Sequence, residues 1–199
     1  MVDLTKASFV FGADASDNGK FIALVMGDRT DVLKLHAEVC KQNNLKRIHM
    51  RRIIEKHKVI KSIEERCTSA VHLYCLKVDK QRHNDTLSAS LKTKYMPSIQ
   101  RKQNIDYCTI MEIKNVISDS LNMFYQNWWD ITVEADGDTM KLFKVIGANV
   151  ITDLSASNEA YQLADAVAWA NHADYHISKV READISSEIE SRLRKKLKL

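Results

Sequence analysis

The sequence predicts an α/β protein built on a mixed five-stranded sheet flanked by helices. Two apolar runs, Ser8 to Ala13 and Lys20 to Gly27, are separated by Asn18-Gly19, a strong hairpin-turn signal. Further short apolar runs then alternate with segments of helical periodicity. A hairpin followed by alternating strands and helices calls for a mixed sheet with helices on both faces.

Taken in order, the first two strands leave Asp14 close to the hairpin turn. Thr30 or Asp31 is placed to cap a helix running to about Asn44, with Val32, Leu35 and Val39 on its buried side. A second helical stretch is expected from about Leu45 to Ala70, with Ile48, Ile53, Ile54, Ile60 and Ile63 as its apolar positions. Its outer face is basic: nine Lys/Arg against three Glu fall between Lys41 and Arg66. That pattern suits either a solvated helix face or an electrostatic footprint for phosphates. Val71 to Val78 alternates as a third strand. Asp79 to Asn104 is polar and basic, holds Pro97, and reads as a long loop, a lid or a partly helical segment.

Asp106 to Trp128 has helical spacing, and Asp130 to Asp136 alternates as the fourth strand, broken by Gly137. A short helix from Asp138 to Val145 leads to a fifth strand at Asn149 to Thr152. Asn158 to His172 is an alanine-rich helix able to press its backbone close to a sheet. Glu182 to Leu199 closes the chain as an amphipathic helix with a basic end, which the helix dipole favours. The organisation is one domain over residues 1–199. It has a basic helical insertion at about 41–70, a basic loop at about 79–104 and a C-terminal helix at 182–199.

Composition narrows the class. The chain is 45% hydrophobic and 28% charged, with one proline and five glycines, which fits a globular domain rather than a linker-rich one. It has no apolar run of the ~18 residues that a membrane helix needs. The opening residues lack the basic region and apolar core of a signal peptide, so a cytoplasmic protein with no membrane partner is expected. Cys40, Cys67, Cys75 and Cys108 are scattered and read as packing residues, not as a zinc site or disulfide framework. A net charge of +4 does not by itself call for nucleic acid; its distribution is more informative. The candidate contacts are Lys46, Arg47, Arg51 and Arg52 in the insertion, and Lys92, Lys94, Arg101 and Lys102 in the basic loop.

Acidic residues close three of the expected strands: Asp14, Asp136 and Asp153. In α/β sheets, ligands gather where strand ends and neighbouring loops converge. Each has an ordinary alternative as a turn or cap residue. Asp165 does not, because it sits in the middle of an apolar helical run. An unpaired charge there would cost several kcal/mol, so a cationic partner is expected. Oxygen-only ligands favour Mg²⁺ or Mn²⁺, and two such ions can bind the attacking and leaving oxygens of a phosphodiester.

This arrangement resembles the ribonuclease H-like (retroviral integrase-like) superfamily. GADAS at Gly12 to Ser16 is similar to the GxDxS-type first strand of Holliday junction resolvases and relatives. ADAVAWA at Ala164 to Ala170 is similar to their last helix. The order VEADGD, TMKLFKVIG, VITDLSAS, YQLADAVAWA looks like that of an uncharacterised family in the superfamily with a C-terminal QLADxVA motif. The resemblance covers residues 8–27 and 130–172. It implies Asp14 as the first metal ligand and Asp165 as the last. Asp136 or Glu134, which strand alternation puts on one face, would be the second, and Asp153 would assist.

The implied activity is a nuclease using a Mg²⁺- or Mn²⁺-activated water to leave a 3′-hydroxyl and a 5′-phosphate on DNA or RNA. The alternative is a catalytically inactive nucleic-acid-binding or protein-assembly module on the same fold. A phosphotransferase of actin-like ancestry is a weaker idea, since glycine-rich phosphate loops are absent. Trp128-Trp129 and the terminal helix offer surfaces for a homodimer or for core packing, and His172 is expected on the surface.

Overall fold

The computed structural model describes residues 9–16, 20–121, 132–144, 149–151 and 158–199. Strands β1 (Phe9–Ser16) and β2 (Phe21–Asp28) pair antiparallel, Phe9 opposite Asp28 and Ser16 opposite Phe21. The Asn18-Gly19 turn itself lies outside the described residues. Helix α1 (Arg29–Gln42) follows, and the Asp28 carboxylate caps it by accepting from the Thr30 N–H at 2.9 Å. Helix α2 (Lys56–Arg66) leads to β3 (Val71–Lys77), antiparallel to β2. Helices α3 (Lys80–Ala89) and α4 (Ser98–Leu121) precede β4 (Thr132–Ala135). Then come α5 (Gly137–Lys144), β5 (Asn149–Ile151), α6 (Glu159–His172), β6 (Val180–Asp184) and α7 (Ser186–Leu197).

The sheet order is β5-β4-β1-β2-β3-β6. The pairs β1–β4, β4–β5 and β3–β6 are parallel. Alternation sends side chains of each strand into two cores. Phe11, Ala13, Leu24, Tyr74 and Val133 face α3, α4, α5 and α7, where Leu87, Ile113, Phe143 and Leu193 meet them. Val10, Ala23, Val25 and Leu73 face α1, α2 and α6. The central strand β2 serves both cores, which explains its unbroken apolar reading.

Helix α6 lies unusually close to the sheet. A Cβ added at Gly12 would stand 2.0 Å from the Ala160 carbonyl carbon and oxygen, so only glycine lets the helix backbone touch β1. The alanines at 160, 164, 166, 168 and 170 continue that close packing.

The expected fold class holds as a mixed α/β sheet with helices on both faces, with two corrections. The sheet has a sixth strand, β6, inside the stretch leading into the expected C-terminal helix at 182–199, which starts only at Ser186. As an edge strand it is mostly exposed, so it lacks the apolar alternation that marks strands. The insertion at about 41–70 is helical only over Lys56–Arg66. Asn44 takes a left-handed φ of 53°, ending α1, and residues 45–55 run as an irregular segment with a 3-10 turn at Met50–Arg52. The basic loop at 79–104 contains α3 and the start of α4. The four cysteines are buried and free, and among the described residues no helix is long and apolar enough to cross a membrane.

Gly12→Ala should cost about 3 kcal/mol or more, because a backbone-to-backbone contact has no side chain that can yield. Urea denaturation of the purified variant checks this; a loss under 1 kcal/mol would mean that α6 is free to move off the sheet.

Candidate functional site

The site grows from the parallel pairing of β1 with β4, in which Gly12 stands beside Glu134 and Ala13 beside Ala135. The next residue on each chain is an aspartate, Asp14 and Asp136. Parallel neighbours lie about 4.8 Å apart. Alternation directs Asp14, Glu134 and Asp136 to the α6 side of the sheet, since Ala13, Val133 and Ala135 belong to the opposite core. Gly137 follows with φ +56°, and its N–H donates to the Asp136 carboxylate at 2.6 Å, which turns the chain sharply into α5.

Glu134 has a structural task. Its buried carboxylate accepts from the N–H groups of Ala160 at 3.0 Å and Tyr161 at 3.1 Å. These are orphan donors in the first turn of α6, and the Asn158 side chain at the N-cap satisfies neither. Glu134 thus caps the helix from a neighbouring strand and fixes its start over Gly12. Burial raises its carboxyl from 4.5 to about 7, with the two N–H groups opposing. Of the two residues weighed for a second ligand, Glu134 is committed to this cap, whereas Asp136 is exposed.

With α6 so placed, Tyr161 and Asp165 stand one turn apart on one helix face, and both interact electrostatically with Asp14. Burial first, then the charge of Asp165 and to a smaller extent that of Asp136, raises the Asp14 carboxyl from 3.8 to about 7; the Ala15 N–H opposes. Burial and the charges of Asp14, Asp165 and Asp136 push the Tyr161 hydroxyl up, keeping it a donor in neutral solution.

Asp165 does find a partner. Its Oδ2 accepts from the Met50 N–H at 2.9 Å and lies 3.5 Å from Nδ1 of His49. One turn earlier, Gln162 Oε1 accepts from the Ile48 N–H at 2.8 Å and meets His36 Nε2 at 2.9 Å. Farther along, the Lys56 ammonium lies over the Trp169 ring at 5.2 Å. Residues 48–56 therefore lie along α6 as a strap. Its alternate side chains Ile48 and Met50 are buried, and their N–H groups end on Gln162 and Asp165. Lys46 and Arg47 lead into this strap and Arg51 and Arg52 lie on it, following the Met50 that bonds Asp165; all four are exposed.

The second basic group is not part of that surface. Helices α3 and α4 pack in the opposite layer, with Leu87 and Ile105 in the other core. Arg101 is spent within its own loop, donating to the carbonyls of Met96, Thr93 and Lys94 and to the Ser88 hydroxyl. Lys92 donates to the Lys198 carbonyl, Lys94 lies over Tyr95, and Lys102 borders a small pocket with Thr139. Asp153 lies outside the described residues, as do Trp128 and Trp129, and His172 is exposed.

Asp165 and Asp136 thus both stand within electrostatic reach of Asp14. Among the described residues, no group of three His, Cys, Asp or Glu side chains stands close enough together to hold a metal ion as the side chains lie. Tyr161, Gln162 and His49 were not singled out from sequence. Tyr161 was within reach, since it precedes Asp165 by one helical turn.

Two outcomes follow from this geometry. Asp14 and Glu134 have folded-state pKa values above their ordinary ones, so between about pH 4 and 7 the folded state binds more protons than the unfolded. Their contribution is complete at the low end of that window and is lost as pH rises through about 7. Asp14→Asn should therefore gain on the order of 2 kcal/mol over the native chain near pH 8 and flatten the pH slope. Denaturation series at pH 5, 6, 7 and 8 measure both, and an unchanged slope contradicts the assignment. Separately, Asp165→Ala removes the acceptor for Met50 N–H, so limited trypsin digestion should cut at Arg47, Arg51 or Arg52 several-fold faster with the fold retained. Equal cleavage rates would show that the strap is held by other contacts.

No protein-family model matches the chain, and no curated protein or solved structure matches it either.

Proposed function

We propose that the chain is a hydrolase of nucleic-acid phosphodiesters on a ribonuclease H-like fold. The strand order β3-β2-β1-β4-β5 supports the fold reading: β2 is antiparallel to both neighbours, β1, β4 and β5 run parallel, and β6 is added outside β3. The observation that carries the activity is the juxtaposition at one sheet edge. Carboxylates from β1, from the end of β4 and from α6 converge there, and the strap that carries Arg51 and Arg52 is bonded to one of them.

The donor set suits a hard cation. Oxygen donors alone, around an Asp14 carboxyl that burial first and then the charges of Asp165 and Asp136 raise to about 7, describe a place where a divalent ion would relieve charge. Asp14, Asp136 and Asp165 are the residues that would hold Mg²⁺ or Mn²⁺. When bound, such an ion supplies charge neutralisation at the phosphate and a more acidic water. The chain's own groups do the rest. Arg51, Arg52, Lys46 and Arg47 hold the flanking phosphates, the Tyr161 hydroxyl stands ready as a hydrogen-bond donor, and Glu134 keeps α6 in register with β1.

A second reading, a binding module without catalysis, draws on two observations. Among the described residues no three-ligand group is preassembled, and Asp165 already serves the strap.

Calorimetric titration with Mg²⁺ and Mn²⁺, together with cleavage of single- and double-stranded DNA and RNA, separates the two. The nuclease reading expects metal binding that is lost in Asp14→Asn with Asp165→Asn, and cleavage lowered at least 100-fold. Arg51→Ala and Arg52→Ala should each weaken binding uniformly across sequences and reduce the salt slope by about one. Nucleic-acid binding that ignores both the aspartate substitutions and chelator would establish the module reading instead. Absence of nucleic-acid binding would remove both.

A further inference from the structure

The row of strand ends that carries Asp136 and Asp14 continues across the sheet. Ser16 pairs with Phe21, Phe21 with Lys77, and Lys77 with Asp184, so these residues close the same edge. They also share the α6 face. Ala23 and Leu73 belong to that core, and alternation carries Phe21, Cys75 and Lys77 to the same side. Here the sheet edge and the C-terminal end of α6 enclose an open pocket of about 490 Å³, within the size range of small-ligand sites.

Its far wall is the turn after α6. Asp174 takes a left-handed φ of 55°, and the Tyr175 N–H donates to the Ala170 carbonyl at 2.8 Å, which fixes a tyrosine that is 41% exposed beside the opening. Phe21 and Tyr175 supply aromatic surface, and Asn171 supplies both a donor and an acceptor. The remaining polar groups are mainly acceptors: Asp174, Glu182 and Asp184. Glu182 lies 3.7 Å from His176 and Asp184 lies 3.6 Å from Lys77, so two of these carboxylates stand beside a basic side chain.

Three carboxylates against Lys77 and His176 leave the lining net negative, which disfavours a phosphate. Such a lining suits a flat, uncharged group that stacks on an aromatic ring and donates hydrogen bonds to carboxylates. From β1 to β3 is two strand spacings, about 10 Å, a span that one end of a nucleic-acid strand bridges with a base turned inward. We infer that this pocket is a base subsite, taking one unpaired nucleobase of a single strand whose phosphate lies at Asp14, and favouring bases that carry an exocyclic amine. Adenine, cytosine and guanine meet that condition, whereas uracil and thymine do not. The inference rests on the nucleic-acid reading of the carboxylate edge and adds to it the strand form and base class.

The test uses the full chain carrying Asp14→Asn, so that bound strands stay intact. Fluorescence anisotropy measures its affinity for oligo(dA), oligo(dC) and oligo(dT) of equal length, and for their RNA counterparts. The amine-bearing oligomers should bind about tenfold tighter than oligo(dT) or oligo(rU), a ratio of the size that one hydrogen bond to a charged acceptor supplies once the ring stack has placed the base. Adding Tyr175→Ala, at an exposed position, should erase the preference, and Glu182→Gln should narrow it. Affinities that are equal for all oligomers, or a preference untouched by both substitutions, would overturn the subsite, as would failure of every oligomer to bind.

A parallel cleavage assay of the chain with Asp14 intact, in Mg²⁺ and Mn²⁺, keeps the two ideas apart. Cleavage without a Tyr175-dependent preference removes the subsite and leaves the nuclease. A Tyr175-dependent preference without cleavage removes the nuclease and leaves the subsite.

Discussion

The backbone of α6 rests directly on β1 at Gly12, and the other features of the site depend on that contact. Helices pack on sheets at a distance set by the side chains between them. Removing the Cβ at Gly12 and lining the helix with alanine brings main chain against main chain. A backbone placed that deep exposes its first-turn N–H groups to the protein interior, where each unpaired donor costs on the order of 1–3 kcal/mol. Glu134 meets that requirement from β4. The contact and the cap are therefore one device: glycine allows the approach, and the glutamate makes the buried helix end tolerable. Once the helix start is fixed, helical geometry determines where Tyr161, Gln162 and Asp165 stand.

Those side chains work in two directions. Toward the sheet, Tyr161 and Asp165 face Asp14; toward solvent, Gln162 and Asp165 accept the N–H groups of the strap. The strap has the burial pattern of a strand, with Ile48 and Met50 inward and His49 between them, but its hydrogen bonds end on helix side chains instead of a sheet edge. This arrangement sets a cationic segment against an acidic centre without neutralising it by direct ion pairs from the arginines. The cost of the acidic centre is visible in Asp14, whose carboxyl sits at about 7 because burial and two neighbouring charges all disfavour ionisation. A carboxyl perturbed by burial and by specific neighbouring charges marks a candidate functional site.

Much of this was legible in the sequence, and the rest was hidden for identifiable reasons. The hairpin, the alternating strand at 132–135 and the alanine-rich helix follow from local pattern, and so does the sharing of one face by Glu134 and Asp136. The mid-helix position of Asp165 signalled a partner, but the partner is a backbone N–H and an imidazole on a segment that periodicity presents as a helix. Ile48, Ile53, Ile60 and Ile63 fall near helical spacing by coincidence, and only Asn44 in a left-handed conformation betrays the break. Strand β6 escaped because an edge strand needs no apolar alternation. The separation of the two basic groups could not be read at all, since which layer a helix joins depends on the strand it follows, not on its own charges.

Asp165 is where the strap meets the acidic centre. Both of its strap contacts fall on Oδ2, the Met50 N–H and the His49 ring. A carboxylate held through one oxygen keeps its plane defined while its second oxygen remains geometrically distinct. On the reading proposed above, a strand drawn to Arg51 and Arg52 would pull on the residues adjoining Met50, and Asp165 would feel that pull through the Met50 N–H and the His49 ring. Any change in charge around Asp14 acts on the same carboxylate from the other side. Coupling of this sort requires differential contact in two states, and a carboxylate shared between a basic strap and an acidic centre provides the physical connection. The QLAD stretch thus ties two parts of the fold together: Gln162 and Asp165 accept the N–H groups of the strap, and Asp165 stands within electrostatic reach of Asp14 on β1.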